Sequence, residues 1–95
     1  MEREILIRIR RAVREEHYRF TDHALDEADA DNLTRDDALH VLLTGDLEAT
    51  YSDDFRGNRY VVRGDVQAAE VEVVCRFRKD ETLLIIIMVY VVDDE

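Results

Sequence analysis

Leu83-Leu84-Ile85-Ile86-Ile87-Met88-Val89-Tyr90-Val91-Val92 is the longest apolar run in the chain, and its reading decides the fold. It is about half the length that a membrane-spanning helix needs. Rich in β-branched residues and apolar at both odd and even positions, it predicts a central strand covered on both faces. Helices elsewhere in the chain supply one cover; the first helix or a second chain is needed for the other.

The sequence before this run reads as its sheet partners. Val71, Val73, Cys75 and Phe77 alternate against Glu70, Glu72, Val74, Arg76 and Arg78, and Lys79-Asp80-Glu81 turns the chain into the final strand. Arg59 to Gly64 predicts a further strand, with Gly64-Asp65 opening the next connection. Leu47, Ala49 and Tyr51 alternate, and Ser52 to Asn58 makes a hairpin loop with Gly57 and Asn58 as turn formers.

Helices come earlier. Residues 3–16 place Ile5, Leu6, Ile9 and Val13 on one face and most of the arginines away from it, which predicts an amphipathic helix. A strand over Glu4 to Arg10 is the rival reading, because Ile5, Ile7 and Ile9 also alternate. Tyr18 to Phe20 is a short extended piece. Thr21 or Asp22 caps a second helix that runs to about Asp31, where Asn32 breaks it. Thr34 with Asp37 three residues on gives a short-armed capping box for a third helix with Leu39, Leu42 and Leu43 inward. Gly45 stands where a left-handed residue ends that helix. The expected architecture is α+β: two to three N-terminal helices packed on an antiparallel sheet of about four strands, all in one domain over residues 1–95.

The composition is globular, at 46% hydrophobic and 38% charged residues, with no proline and three glycines. Met1-Glu2-Arg3-Glu4 lacks the basic-then-apolar layout of a signal peptide, and one cysteine excludes an internal disulfide. A cytoplasmic location with no membrane association is expected. The net charge of −10 is unevenly spread: residues 1–20 carry +2, residues 21–54 carry −10 and residues 55–95 carry −2. Long-range steering therefore disfavours RNA or DNA as a partner unless basic groups converge locally.

His23 is the side chain best placed for acid–base work. It follows Thr21-Asp22 in the first turn of a helix, where unsatisfied N–H groups and the positive end of the macrodipole disfavour an imidazolium. Asp26 and Glu27 lie one turn on and oppose that effect. Arg59 and Arg63 share one strand face, as do Arg76 and Arg78, so a suitable register gathers four guanidinium groups. The competing reading is a solvated charge ladder with Glu70 and Glu72. Cys75 reads as a core thiol, and His17 as a partner for the C-terminal end of the first helix. No cofactor or metal is expected. An acidic loop from Asp29 lacks the turn glycine of an EF-hand and reaches His40 at its twelfth position. The histidines and the cysteine have no zinc spacing, and there is no Gly-rich phosphate loop.

The order of these signals resembles domain-of-unknown-function family 4258. The matching pieces are Phe20-x-x-His23-Ala24, the Asp36…Leu43-x-Gly45 helix, Tyr51-x-Asp53-Asp54-x-Arg56-Gly57-x-Arg59-Tyr60, Val73-Val74 and Ile86-x-x-x-Tyr90. Members of that family are similar to RelE/ParE-type toxins and are commonly encoded beside small antitoxins. The resemblance implies a RelE-like fold and RNA cleavage. In that chemistry His23 serves as base or acid, Arg59, Arg63, Arg76 and Arg78 hold phosphate, and Tyr90 orders or protonates. It also marks departures: Glu27 and Asp31 stand where arginines are usual, Glu72 where a histidine is common, and Met88 where a threonine is frequent. Two functions follow. One is protein binding on a toxin-like scaffold, with a small antitoxin-like protein or an identical subunit as partner. The alternative is a metal-independent ribonuclease built on His23, Arg59, Arg76 and Tyr90, with Arg63 and Arg78 on the nucleic acid.

Overall fold

A computed structural model describes residues 2–52, 57–78 and 82–92. The order of elements is α1 (Glu2–Arg14), β1 (Tyr18–Phe20), α2 (Asp22–Ala30), α3 (Arg35–Thr44), β2 (Asp46–Tyr51), β3 (Arg59–Val66), β4 (Ala69–Phe77) and β5 (Leu84–Val91). The strands form one sheet in the order β1-β5-β4-β3-β2. The sheet has five strands where about four were expected, and it is mixed rather than antiparallel. Tyr18–Phe20, read as a mere extended piece, pairs in parallel with Leu84–Ile86. Three residues carry too little alternation to announce a strand, and the long apolar β5 supplies the template.

The three helices share one face of the sheet. Ile9, Ala12 and Val13 of α1, Ala24 and Ala28 of α2, and Ala38, Val41 and Leu42 of α3 enter one core with Val62, Val71, Val73, Cys75, Leu84, Ile86 and Val89. The 3-4 spacing of the α1 residues explains why helix prevails there: a strand would have exposed half of them. The second cover expected for β5 is therefore not α1, and among the described residues no helix lies on the opposite face of the sheet.

Two glycines read as local punctuation serve close approach instead. Gly45 caps α3 in an extended conformation (φ −83°, ψ −176°), not the left-handed one expected. A Cβ here would lie 2.7 Å from the Val41 carbonyl oxygen and would strike the Arg63 carbonyl. Gly64 does not end its strand; β3 continues to Val66, and the turn falls at Gln67 with φ 55°. A Cβ at Gly64 would meet Gly45 Cα at 3.3 Å. The facing pair lets the end of α3 sit directly on β3. Thr34 makes the expected capping box, donating and accepting with Asp37 at 2.9 and 3.1 Å. The tip of the β2–β3 hairpin and the Lys79-Asp80-Glu81 turn lie outside the described residues.

Arg10 locks α1 to the same place. Its Nε donates to the Leu42 carbonyl at 3.2 Å and its Nη2 to the Gly45 carbonyl at 2.6 Å. A guanidinium thus meets the negative end of α3, where carbonyls lack intrahelical partners. Arg10→Ala is expected to lower unfolding stability by about 1–3 kcal/mol, measured by urea denaturation. Arg14→Ala, on an exposed position with no such bonds, is expected to stay within about 0.5 kcal/mol of the wild type.

Candidate functional site

The helix-free face of the sheet carries the polar residues of interest in two rows. Ala49, Val61, Val74 and Met88 are laterally paired across β2, β3, β4 and β5 and form an apolar row. Beside it run Arg63, Glu72 and Tyr90, also in register. Two β-bulges bring these side chains together. In β5, Cys75 pairs with Ile86 but Val74 with Met88, so Ile87 is the extra residue. Strict alternation would put Tyr90 on the core face with Ile86; the bulge turns it to the open face. In β2, pairing passes from Leu47 to Ala49, and the extra residue Glu48 joins the same face.

Glu72 is the hub. Although charged, it is only 9% exposed. Tyr90 Oη donates to its Oε1 at 2.5 Å, and Arg63 donates to its Oε2 through Nε at 3.0 Å and Nη2 at 2.8 Å. Arg63 Nε also lies 3.4 Å from Glu48 Oε1. Burial works against the Glu72 charge, but the hydrogen bonds from Tyr90 and Arg63 and the Arg63 charge outweigh it, so the carboxyl sits below its usual range. Burial, then the bond to Glu72, pushes the Tyr90 phenol up to about 12. The bond to Glu72 raises Arg63 above its ordinary value.

A concavity of about 210 Å³ opens over the apolar row, with Glu48, Tyr51, Arg59, Glu72 and Tyr90 around it. Of the residues singled out by sequence, Arg59, Arg63, Glu72 and Tyr90 therefore meet on one face. Arg59 stands over the Tyr51 ring at 5.9 Å. Arg76 occupies the same face of β4, two residues beyond Val74 and opposite Ile85 of β5. Arg78 follows β4 and donates its backbone N–H to the Leu83 carbonyl. Of these arginines, Arg63 is paired with Glu72 and Glu48.

His23 stands apart from these arginines on α2, largely exposed, with Nε2 4.0 Å from Glu27 Oε1. Thr21 is the cap: its hydroxyl accepts from Ala24 N at 3.1 Å and donates to the Ile87 carbonyl at 3.4 Å. Beyond Ile86, no strand among the described residues pairs with β5 on its β1 side, and α2 substitutes for one. Glu27 Oε1 accepts the Val89 N–H at 3.0 Å and Asp31 Oδ2 the Val91 N–H at 2.9 Å. These are the two positions at which the resemblance leads one to expect arginines, which have no acceptor to offer. Cys75 is buried in the core, its thiol pushed up to about 12 by burial. His17 Nδ1 shares a hydrogen bond with Thr82 Oγ1 at 3.0 Å.

Sequence reasoning missed Glu48 and the pairing of Glu72 with Tyr90, because both depend on bulges. Among the described residues no group of three or more His, Cys, Asp or Glu side chains could hold a metal ion, and no helix is long and apolar enough to cross a membrane.

The family model for DUF4258, a domain of unknown function, matches residues 20–91. The chain belongs to this family. The match takes in both rows of the open face, the whole of α2 and the hairpins; α1 lies outside it. No curated protein and no solved structure matches the chain significantly.

The network sets two pH dependences in this DUF4258 domain. Tyr90 has its pKa raised, so its contribution to stability is complete below about pH 10 and is lost as pH rises toward 12. Tyr90→Phe is expected to cost about 1 kcal/mol at neutral pH, and the gap from wild type should close across that alkaline window. Glu72 has its pKa lowered from 4.5, so the stability it adds is present above that value and is lost as acid protonates the folded carboxylate. Thermal melts of wild type, Tyr90→Phe and Glu72→Gln across pH check both signs; parallel curves for all three would contradict them.

Proposed function

We propose that this DUF4258 chain is a RelE-like toxin-type domain that acts by binding a basic segment of a protein partner on the open face of its sheet. The observation that carries the reading is the state of Arg63. A phosphate site needs its guanidinium groups available, whereas Arg63 is held by Glu72 and Glu48 at 2.8 and 3.4 Å. What the face offers an incoming chain is an apolar row, exposed Tyr51, and carboxylates at its rim. Residues 21–54, which include α2 and β2, carry a net charge of −10. Charge complementarity thus favours a Lys/Arg-rich partner segment with an apolar side, such as an antitoxin-like protein would supply.

A second reading, a metal-independent ribonuclease, is supported by one observation: Arg59 and Tyr90 line the same concavity. Its proposed base, His23, lies beside Glu27 and over the β5 edge, not in that lining.

Inducible expression in a bacterial host separates the two. Protein binding predicts intact transcripts for wild type and His23→Ala alike. It also predicts that an amphipathic arginine-rich peptide shifts the amide signals of Tyr51, Val74 and Met88, with Glu48→Lys weakening it about tenfold or more. Growth arrest with transcript cleavage that His23→Ala abolishes would replace this proposal with the ribonuclease.

A further inference from the structure

α1 lies outside the residues that the family model matches, and its arginines face two ways. Arg10 points to the carbonyls at the end of α3. Arg8, Arg11 and Glu15 follow one another at spacings of three and four and so share a different face. That face borders a cup of about 250 Å³ that forms where α1 meets the ends of β4 and β5, with His17, Phe77 and Thr82 on its other side.

The lining is organised for a small anion. Arg8 stacks on the Phe77 ring with Cζ 4.3 Å from the centroid, which fixes a planar guanidinium at the wall without neutralising it. Arg11 is exposed one turn along, and neither arginine pairs with a carboxylate among the described residues. The hydrogen bond between His17 Nδ1 and Thr82 Oγ1, at 3.0 Å, holds an imidazole and a hydroxyl in place. Two guanidinium groups, with one further donor left over from the His17–Thr82 hydrogen bond, surround one concavity and suit an oxyanion.

We propose that this cup is a binding site for the terminal phosphate of a small phosphomonoester. The paired charges of Arg8 and Arg11 match a dianion better than the single charge of each diester in a polynucleotide. Glu15 at the rim and the overall charge of −10 both penalise an extended polyanion more than a compact one. The site is at the β4–β5 turn end of the sheet, away from Tyr90 at the far end of β5, and does not depend on the open face binding anything.

The test is an amide and arginine side-chain NMR titration of the full chain with inorganic phosphate and with ribose 5-phosphate. Ribose alone and uridylyl-uridine, which has a diester but no terminal phosphate, serve as comparisons. The expected result is saturable binding in the millimolar range by both phosphate compounds, with shifts centred on Arg8, Arg11, His17 and Thr82. Arg11→Gln should weaken it about tenfold, and Arg14→Gln, whose side chain is not part of the cup, should leave it unchanged. The proposal is overturned by absence of saturation, by equal affinity in Arg11→Gln, or by uridylyl-uridine binding as well as the monoester.

Discussion

The Glu72 carboxylate, nearly buried on a sheet face with no helix above it, is the constraint around which the rest of that face is arranged. A charge withdrawn from water must find donors, or it costs several kcal/mol. Two donors come from Arg63 directly across on β3 and one from Tyr90 directly across on β5. The Arg63 pairing follows from the regular β3–β4 register, but the Tyr90 pairing does not. The bulge at Ile87 turns Tyr90 outward, and the bulge at Glu48 adds a second carboxylate beside the same guanidinium. The two distortions thus serve the two members of one ion pair, Glu72 and Arg63. The network specifies register as well: a slip of one residue between β3 and β4 would move Arg63 off Glu72 and bury it against the helices.

The same economy explains where part of the acidity of α2 goes. A short β1 leaves the N–H groups of Val89 and Val91 without a strand partner, an edge that would invite pairing with another chain. Glu27 and Asp31 accept from those two groups. Negative charge in this helix is in part an edge seal, and only the remainder, Asp22, Asp26 and Asp29 on its exposed side, is available to a partner. An arginine at either sealing position would leave β5 open and would place a cation near Tyr90. Glu27 and Asp31, the two positions where the resemblance implies arginines, thus act together in this seal.

Features that depend on local chemistry were legible in the sequence. The Thr34–Asp37 capping box, the break at Asn32 in the left-handed region, and the core face of α1 follow from side-chain types at fixed spacing, whereas the α3 stripe expected at Leu39, Leu42 and Leu43 is turned so that Ala38, Val41 and Leu42 are buried and Leu39 and Leu43 only partly so. Features set by what a residue meets across the fold were not. Gly45 and Gly64 look like a helix stop and a turn, but both are glycine because α3 and β3 touch there. Arg63 looks like a phosphate ligand until the register shows Glu72 opposite. For the site, the membership of Arg59, Arg63 and Tyr90 on one face was within reach of alternation only by accident, since Tyr90 reaches it through a bulge that no residue in β5 announces. His23 was correctly read at a helix start, but its distance from the arginines is a matter of sheet order.

The molecule that results is electrically divided along its strands. α1 brings a surplus of arginine to the end where β5 begins, and α2 and β2 bring carboxylates to the edges and to the end where β5 finishes. Arg10 spends its charge on the α3 carbonyls and Arg63 on Glu72, whereas Arg8 and Arg11 at the cup and Arg59 at the open face lie outside such pairs. The proposed phosphate cup draws its charges from α1, outside the family match, and the proposed protein-binding face draws on the sheet within it, so the two proposals share no charged side chain.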